Sequence, residues 1–245
     1  AITTRSLTVA VQSTPAISKV YNGVASASLA AGNYILTGVI GGETVAVIGS
    51  ATFDNETAGT GKTVTVNNFI LSGADKNNYT VSTNTASTTG EITTKPVTIT
   101  LNASPVITKV YDGTATASLA TGNFQLSGVV SGDDVSASGT ASYDTKQVGT
   151  GKTITVTNLS LQGTDQSNYS LTTTSAAVSG SITTKPITAS LTTSPLITKE
   201  YDGNTSAVLT EANYTLSGIL NNDEVKVSGT ASYDNKNTGN SKTIT

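Results

Sequence analysis

Between 135 and 143 the chain alternates: Val135, Ala137, Gly139, Ala141 and Tyr143 fall on one side, and Ser136, Ser138, Thr140 and Ser142 on the other. A period of two assigns the two sets to opposite faces of an extended strand, so the segment predicts a half-buried antiparallel strand with a hydroxylated outer face. The same alternation stands at Val45, Val47, Gly49, Ala51, Phe53 and again at Val225, Val227, Gly229, Ala231, Tyr233. Over the middle of the chain, further strands are predicted at 97–101, 107–111, 124–130, 153–161, 169–173 and 178–183. They are separated by turn clusters such as Asp112-Gly113, Ser131-Gly132-Asp133-Asp134 and Gly149-Thr150-Gly151. About seven short strands between such turns predict an antiparallel sandwich of the Ig-like kind, with a β-grasp-like packing as the alternative, because strand order is not written in periodicity. No helical stretch of convincing length is present.

The strand pattern is itself periodic. Lys-Val-Tyr-Asn-Gly at 19–23 returns as Lys-Val-Tyr-Asp-Gly at 109–113 and as Lys-Glu-Tyr-Asp-Gly at 199–203, an offset of 90 residues both times. Asn33, Asn123 and Asn213 keep that offset, as do Gly49, Gly139 and Gly229, Asp54, Asp144 and Asp234, and Lys62, Lys152 and Lys242. A period this long suits a small independent domain rather than a solenoid coil. The predicted organisation is a tandem array of three repeats, 1–93, 94–183 and 184–245, the third incomplete because it stops at Thr245, the counterpart of Thr65 and Thr155. The first reading of that stop is a boundary cut from a longer chain; the alternative is that a strand from a neighbouring chain completes the repeat. No Gly/Ser spacer separates the repeats: Ile92 leads through Thr94-Lys95-Pro96 directly into the next strand. A Pro-stiffened step of this kind predicts an elongated rod, on the order of 100 Å for three domains of roughly ten strand residues each.

Composition narrows the chemistry. The 245 residues contain no Cys, His, Met or Trp. Without them there is no imidazole base, no thiolate, and no usual ligand set for zinc, copper, haem or an iron–sulfur cluster. The expectation is therefore no enzyme, no catalytic residues, no cofactor and no metal site, although carboxylate, Lys, Tyr and Ser chemistry remains open in principle. The absent Met also marks the numbered chain as an internal or processed stretch of a longer one. Net charge is −3, with 12% charged residues, which argues against a nucleic-acid or anionic-membrane surface. No apolar run approaches a membrane span, so no membrane insertion is expected in this segment. In place of charge the chain carries 47 Thr and 29 Ser, suited to outward strand positions.

Each recurrent polar feature has a structural reading beside a functional one. Tyr21, Tyr111 and Tyr201 precede Asn22-Gly23, Asp112-Gly113 and Asp202-Gly203, which reads as a core or edge Tyr followed by a tight turn, with sugar stacking as the alternative. Tyr79 and Tyr169 open a strand after a turn and suggest a tyrosine corner. The turn acids Glu43, Asp133 and Asp223, with Asp134 and Glu224 beside two of them, read as solvated, with calcium as the alternative if Asp54, Asp144 or Asp234 converge on them. The recurring Lys19, Lys109, Lys199 and Lys62, Lys152, Lys242 read as surface or snorkelling lysines, with Lys–Asn or Lys–Asp isopeptide crosslinks as the alternative. The Thr rows at 63–66 and 153–157 suit an outer strand face; flat ice-binding arrays need a shorter period than 90 residues.

The motifs Lys-Val-Tyr-Asp-Gly-Thr at 109–114, Leu-Ser-Gly-Val-Val-Ser-Gly-Asp-Asp-Val at 126–135, Gly-Thr-Ala-Ser-Tyr-Asp from Gly139, Val-Gly-Thr-Gly-Lys-Thr-Ile-Thr-Val from Val148 and Gly-Thr-Asp-Gln-Ser-Asn-Tyr-Ser from Gly163 closely resemble the bacterial YDG repeat domain. That domain is similar to the MBG repeats of surface adhesins. Asn22 and Glu200 depart from the pattern of the other units. The resemblance spans essentially the whole chain and implies a large, exported, repetitive surface protein of the hemagglutinin or adhesin type. Its expected role is that of stalk or spacer, at the bacterial cell surface or in an extracellular fibre or biofilm matrix. Its expected partners are neighbouring repeats or copies of itself. The alternative is a module that binds host or matrix glycans or mucin directly.

Overall fold

The computed structural model describes residues 1–220 and 223–245. The first repeat forms β1 (Arg5–Val11), β2 (Ser18–Val20), β3 (Ser26–Ala27), β4 (Tyr34–Thr37), β5 (Ala46–Phe53), β6 (Gly59–Ser72), β7 (Tyr79–Val81) and β8 (Thr85–Thr93). The second forms β9 (Lys95–Leu101), β10 (Thr108–Val110), β11 (Thr116–Ala117), β12 (Phe124–Ser127), β13 (Ser136–Tyr143), β14 (Gly149–Gln162), β15 (Tyr169–Leu171) and β16 (Ala176–Thr183). The third carries β17 (Thr188–Leu191), β18 (Ser206–Ala207), β19 (Tyr214–Ser217) and β20 (Ala231–Ser232). Helical structure among the described residues is confined to five three-residue 3₁₀ turns, and no helix is long and apolar enough to cross a membrane.

The protein is all-β, and all seven strands predicted for the second repeat are present. The segment expected at 124–130 ends at Ser127 because Gly128 takes φ +102° and turns the chain. The two-residue β11 is too short to leave a periodicity signal. Within the first repeat, β4-β1-β7 make a three-stranded sheet and β2-β8-β6-β5-β3 a five-stranded one; the strands of the second repeat follow the same two orders. Two edge pairings differ from the antiparallel expectation. β7 lies parallel to β1, with Arg5 opposite Tyr79, and β2 lies parallel to β8, with Ser18 opposite Glu91. Parallel partners need a long crossover, and here most of a repeat's chain runs between them.

The long hairpin β5–β6 shows why the alternating pattern folds this way. Phe53 lies opposite Val64 and Ala51 opposite Val66, all buried. Thr52, Thr65 and Ser87 line up across β5, β6 and β8 on the other face. The register shifts between Ile48 and Ser50, and Gly49 sits at the shift. A Cβ there would stand 2.7 Å from Val66 Cγ1 and 2.8 Å from the Asn67 carbonyl oxygen, so only glycine fits this bulge.

The recurrent asparagines are internal brackets. Asn33 is buried at 1% exposure; its Oδ1 accepts from the Ala30 amide at 2.8 Å, while its Nδ2 donates to the carbonyls of Gln12 at 3.0 Å and Pro15 at 2.5 Å. Asn123 makes the same three bonds to Ala120, Asn102 and Pro105, and Asn213 to Thr210, Thr192 and Pro195. Each thus satisfies backbone groups that would otherwise be orphaned.

Two compact units emerge. The first comprises Ala1–Val106, Ser118–Ser142 and Ile154–Ser179, the second Ile107–Ala117, Tyr143–Thr153 and Gly180–Thr245. The second repeat is therefore divided between them. In the first unit, a buried cluster joins Ile17, Tyr21, Ala51, Phe53, Val64, Val66 and Ile92 of the first repeat to Val97 and Tyr169 of the second. The core crosses the repeat boundary there, and only Thr94 separates β8 from β9. In the second unit Ile107, Ala117, Tyr143 and Ile182 are buried.

Candidate functional site

The YDG-motif tyrosine is placed by backbone pairing. Tyr21 follows β2, and its amide donates to the Thr93 carbonyl at 2.9 Å, so the ring enters the cluster at the repeat boundary with 4% exposure. It packs edge-on against Tyr169 of the second repeat, with ring centroids 5.4 Å apart and planes at 78°. Its hydroxyl donates to Asp133 Oδ2 at 2.8 Å. Tyr169 also donates its hydroxyl to that oxygen, in a very short bond, and accepts from the Val130 amide at 2.9 Å. Two tyrosines from consecutive repeats thus close on one turn carboxylate. A second strap lies alongside: the Ala58 amide donates to Oδ1 of buried Asn168 at 2.9 Å. Gly23, at φ +77°, lets the backbone approach Val130; an added Cβ would sit 3.1 Å from Val130 Cγ1.

The second unit repeats the arrangement. Tyr111 donates its amide to the Thr183 carbonyl at 2.9 Å and its hydroxyl to Asp223 Oδ1 at 2.9 Å. In the first repeat Tyr79 donates to Glu43 in a very short bond and accepts from the Ile40 amide at 3.0 Å. The recurring acids are therefore tyrosine acceptors. Among the described residues, no group of three or more His, Cys, Asp or Glu side chains converges as a metal site would require.

The environment keeps these phenols protonated. Burial first, and the bond to Asp133 second, raise Tyr169 to about 12 and Tyr21 higher still. Tyr111 is raised chiefly by its bond to Asp223 and then by burial, and Tyr79 by burial and then Glu43. A phenol held neutral beside a carboxylate is a dependable donor, and it supplies no nucleophile or base near neutral pH.

The other singled-out residues serve turns. Lys109 binds Asp112 Oδ1 at 2.7 Å and the Thr114 carbonyl at 2.9 Å, holding the Asp112 carboxyl at about 2. Asp112 Oδ1 also accepts from the Thr114 amide at 2.9 Å, closing an Asx turn. Lys199 and Asp202 repeat the ion pair at 2.7 Å. Where Asn22 replaces the acid, Lys19 donates to the carbonyls of Val24 at 2.7 Å and Ser26 at 3.2 Å. Lys62, Lys152 and Lys242 pair with Asp54, Asp144 and Asp234 at 3.0, 2.9 and 3.2 Å. Lys62 and Lys152 hold Asp54 and Asp144 below the usual carboxylate value. Lys62 and Lys242 also donate to Oδ1 of Asn55 and Asn235, so each meets both an aspartate and an asparagine of its own turn. Asn168 and Ala58 were not singled out by sequence reasoning; the 90-residue recurrence of Asn78 was the available signal, and it does not name a partner in another repeat.

No curated protein and no solved structure matches the chain. The family model for the YDG domain matches three times, over residues 3–87, 93–176 and 183–245. Those three matches take in nearly every residue, including each tyrosine–carboxylate contact described above, and the chain accordingly belongs to the YDG domain family as a tandem repeat protein.

Proposed function

We propose that this chain is a structural spacer, a stalk segment of a bacterial cell-surface adhesin or extracellular fibre, and that its working parts are the joints between repeats. The observation that carries this reading is the tyrosine of one repeat bonded to the turn carboxylate of the next, at Tyr21–Asp133 and again at Tyr111–Asp223. A core that spans the boundary together with a charge-assisted bond makes bending at that joint costly, as a spacer requires. Direct glycan binding through Tyr21 is disfavoured, because at 4% exposure its ring has no face to offer a sugar, whereas Tyr201 is 63% exposed and is the tyrosine the glycan test addresses.

The test pairs a glycan array with single-molecule stretching of the whole chain. A spacer gives no glycan signal, and its first joint yields at lower force in Tyr21→Phe. Glycan binding that Tyr201→Ala abolishes, or a joint indifferent to Tyr21→Phe, overturns the proposal.

A further inference from the structure

The three YDG turns share a backbone and differ in one side chain. Gly23, Gly113 and Gly203 take φ of +77°, +79° and +77°, so the chain turns the same way in each repeat. In the second repeat, Asp112 Oδ1 receives the Lys109 ammonium at 2.7 Å, the Thr114 amide at 2.9 Å and the Thr114 hydroxyl at 2.8 Å. In the third, Asp202 is held by Lys199 at 2.7 Å, by the Asn204 amide at 3.1 Å and by Asn204 Nδ2 at 2.8 Å. The first repeat puts a neutral amide at this place. Asn22 Oδ1 accepts from the Val24 amide at a long 3.4 Å, and Val24 has no hydroxyl or amide side chain to add a second bond.

Lys19 nevertheless stands where its counterparts stand. Its Nζ donates to the Val24 carbonyl at 2.7 Å, as Lys109 does to that of Thr114 and Lys199 to that of Asn204, both at 2.9 Å. Among the described residues no carboxylate pairs with Lys19, and burial draws its pKa below the ordinary lysine value. The turn is thus arranged around a negative charge that Asn22 does not carry. Asn22-Gly23 is also the only Asn-Gly step in the chain. Glycine puts no side chain in the way of its own amide nitrogen, and among the described residues nothing accepts from the Gly23 amide. The bond to Val24 folds the Asn22 side chain forward over that nitrogen, and Asn22 is exposed to water.

We propose that Asn22 is a self-modification site, converted by water to aspartate through a cyclic imide, which completes in the first repeat the lysine–carboxylate turn that the other two repeats encode. The Gly23 nitrogen bonds to Asn22 Cγ, the Cγ–Nδ2 bond breaks, and Nδ2 leaves as ammonia with the proton the Gly23 nitrogen gives up. Water then opens the ring. Cleavage between Cγ and the Gly23 nitrogen yields aspartate; cleavage on the main-chain carbonyl side yields isoaspartate, whose backbone is one carbon longer. One water is consumed beyond the ring closure and one ammonia is released, with no change of oxidation state. The Lys19 ammonium lies on the Cγ side and polarises that carbonyl, which favours aspartate. Packing favours it too: the longer backbone would fall between Tyr21, whose hydroxyl holds Asp133, and Gly23, which lies against Val130. A carboxylate kept ionised, as Asp112 is by Lys109, is a poor acceptor for the glycine nitrogen, so the product is retained. This inference goes beyond the spacer reading and stands without it.

The test ages the whole chain in heavy-oxygen water at mildly alkaline pH and maps it by digestion and mass spectrometry. Position 22 should lose ammonia and take up the oxygen label ahead of the other asparagines, with buried Asn33 unchanged. The ratio of aspartate to isoaspartate there should be about threefold higher, or more, than in a urea-unfolded sample aged alongside, the scale of one exposed ion pair. Lys19→Gln should remove that excess and Lys19→Arg should restore it. An Asn22→Asp variant should take up no label at this position and should match the aged chain in amide exchange at Val24. Conversion at position 22 no faster than at Asn33, one product ratio in folded and unfolded samples, or a ratio indifferent to Lys19→Gln would each overturn the proposal.

Discussion

Tyr21→Phe isolates one bond in the joint of the first unit. The substitution keeps the buried ring and its edge-on contact with Tyr169, and deletes only the hydroxyl that donates to Asp133 at 2.8 Å. A hydrogen bond to a charged partner contributes about 1.5–3 kcal/mol net. Asp133 is half-buried and still holds the hydroxyl of Tyr169, so the carboxylate is not orphaned and the lower end, about 1.5 kcal/mol, applies. A change of that size is a factor of slightly more than ten in the opening equilibrium of the joint. Hydrogen exchange resolved along the chain reads that equilibrium directly, where a global melt of coupled repeats would not report one transition. The amides of Tyr21, Val130 and Asp133 should exchange about tenfold faster in Tyr21→Phe, with Val156 in the middle of β14 unchanged. Adding Asp133→Asn should cost less than the sum of the two single changes, because both remove the same contact. Unaltered exchange at the joint, or additive effects in the double variant, would show that the tyrosine–carboxylate pair does not hold the repeats together.

Alkaline pH should undo the same joints. Phenols with folded values raised above 10, to about 12 for Tyr169, give stability that is fully present below pH 10 and is lost as pH rises through the folded values; a pH series of urea melts should show it, with delayed phenolate absorbance from Tyr21, Tyr79, Tyr111, Tyr143 and Tyr169. Asn33→Ala leaves the Ala30 amide and the Gln12 and Pro15 carbonyls without their partner, and should destabilise the first repeat by about 3 kcal/mol in denaturant unfolding. Asp112→Asn should leave the denaturation midpoint in the same assay nearly unchanged, because the carboxylate is exposed and the first repeat already works with Asn22 at that place.

The alternating residues at 135–143, the turn glycines and the offset of 90 were legible because strand periodicity, turn chemistry and repetition are local or self-referential properties of a sequence. The turn acids Glu43, Asp133 and Asp223 were visible as a recurring feature, but their role was not. Asp133 meets Tyr21 across 112 residues of chain, and nothing in the composition of either neighbourhood names the other. Tyr79 and Tyr169 suggested a tyrosine corner; the hydroxyl of each accepts from a backbone amide 39 residues upstream, and each also donates to a turn acid that the sequence did not name as its partner. The lysines were seen to recur, and only the folded turns show them as ion pairs with Asp54, Asp112, Asp144, Asp202 and Asp234.

By itself, then, the sequence determined an all-β chain of three like repeats with hydroxyls outside and small apolar residues inside, since the two faces of a strand are written in alternate letters. Tertiary structure decided the parallel edges, the core shared across the first repeat boundary and the tyrosine that reaches into the following repeat. Those contacts pair residues far apart in the chain, and each is favourable only after both turns have been placed by their own repeats.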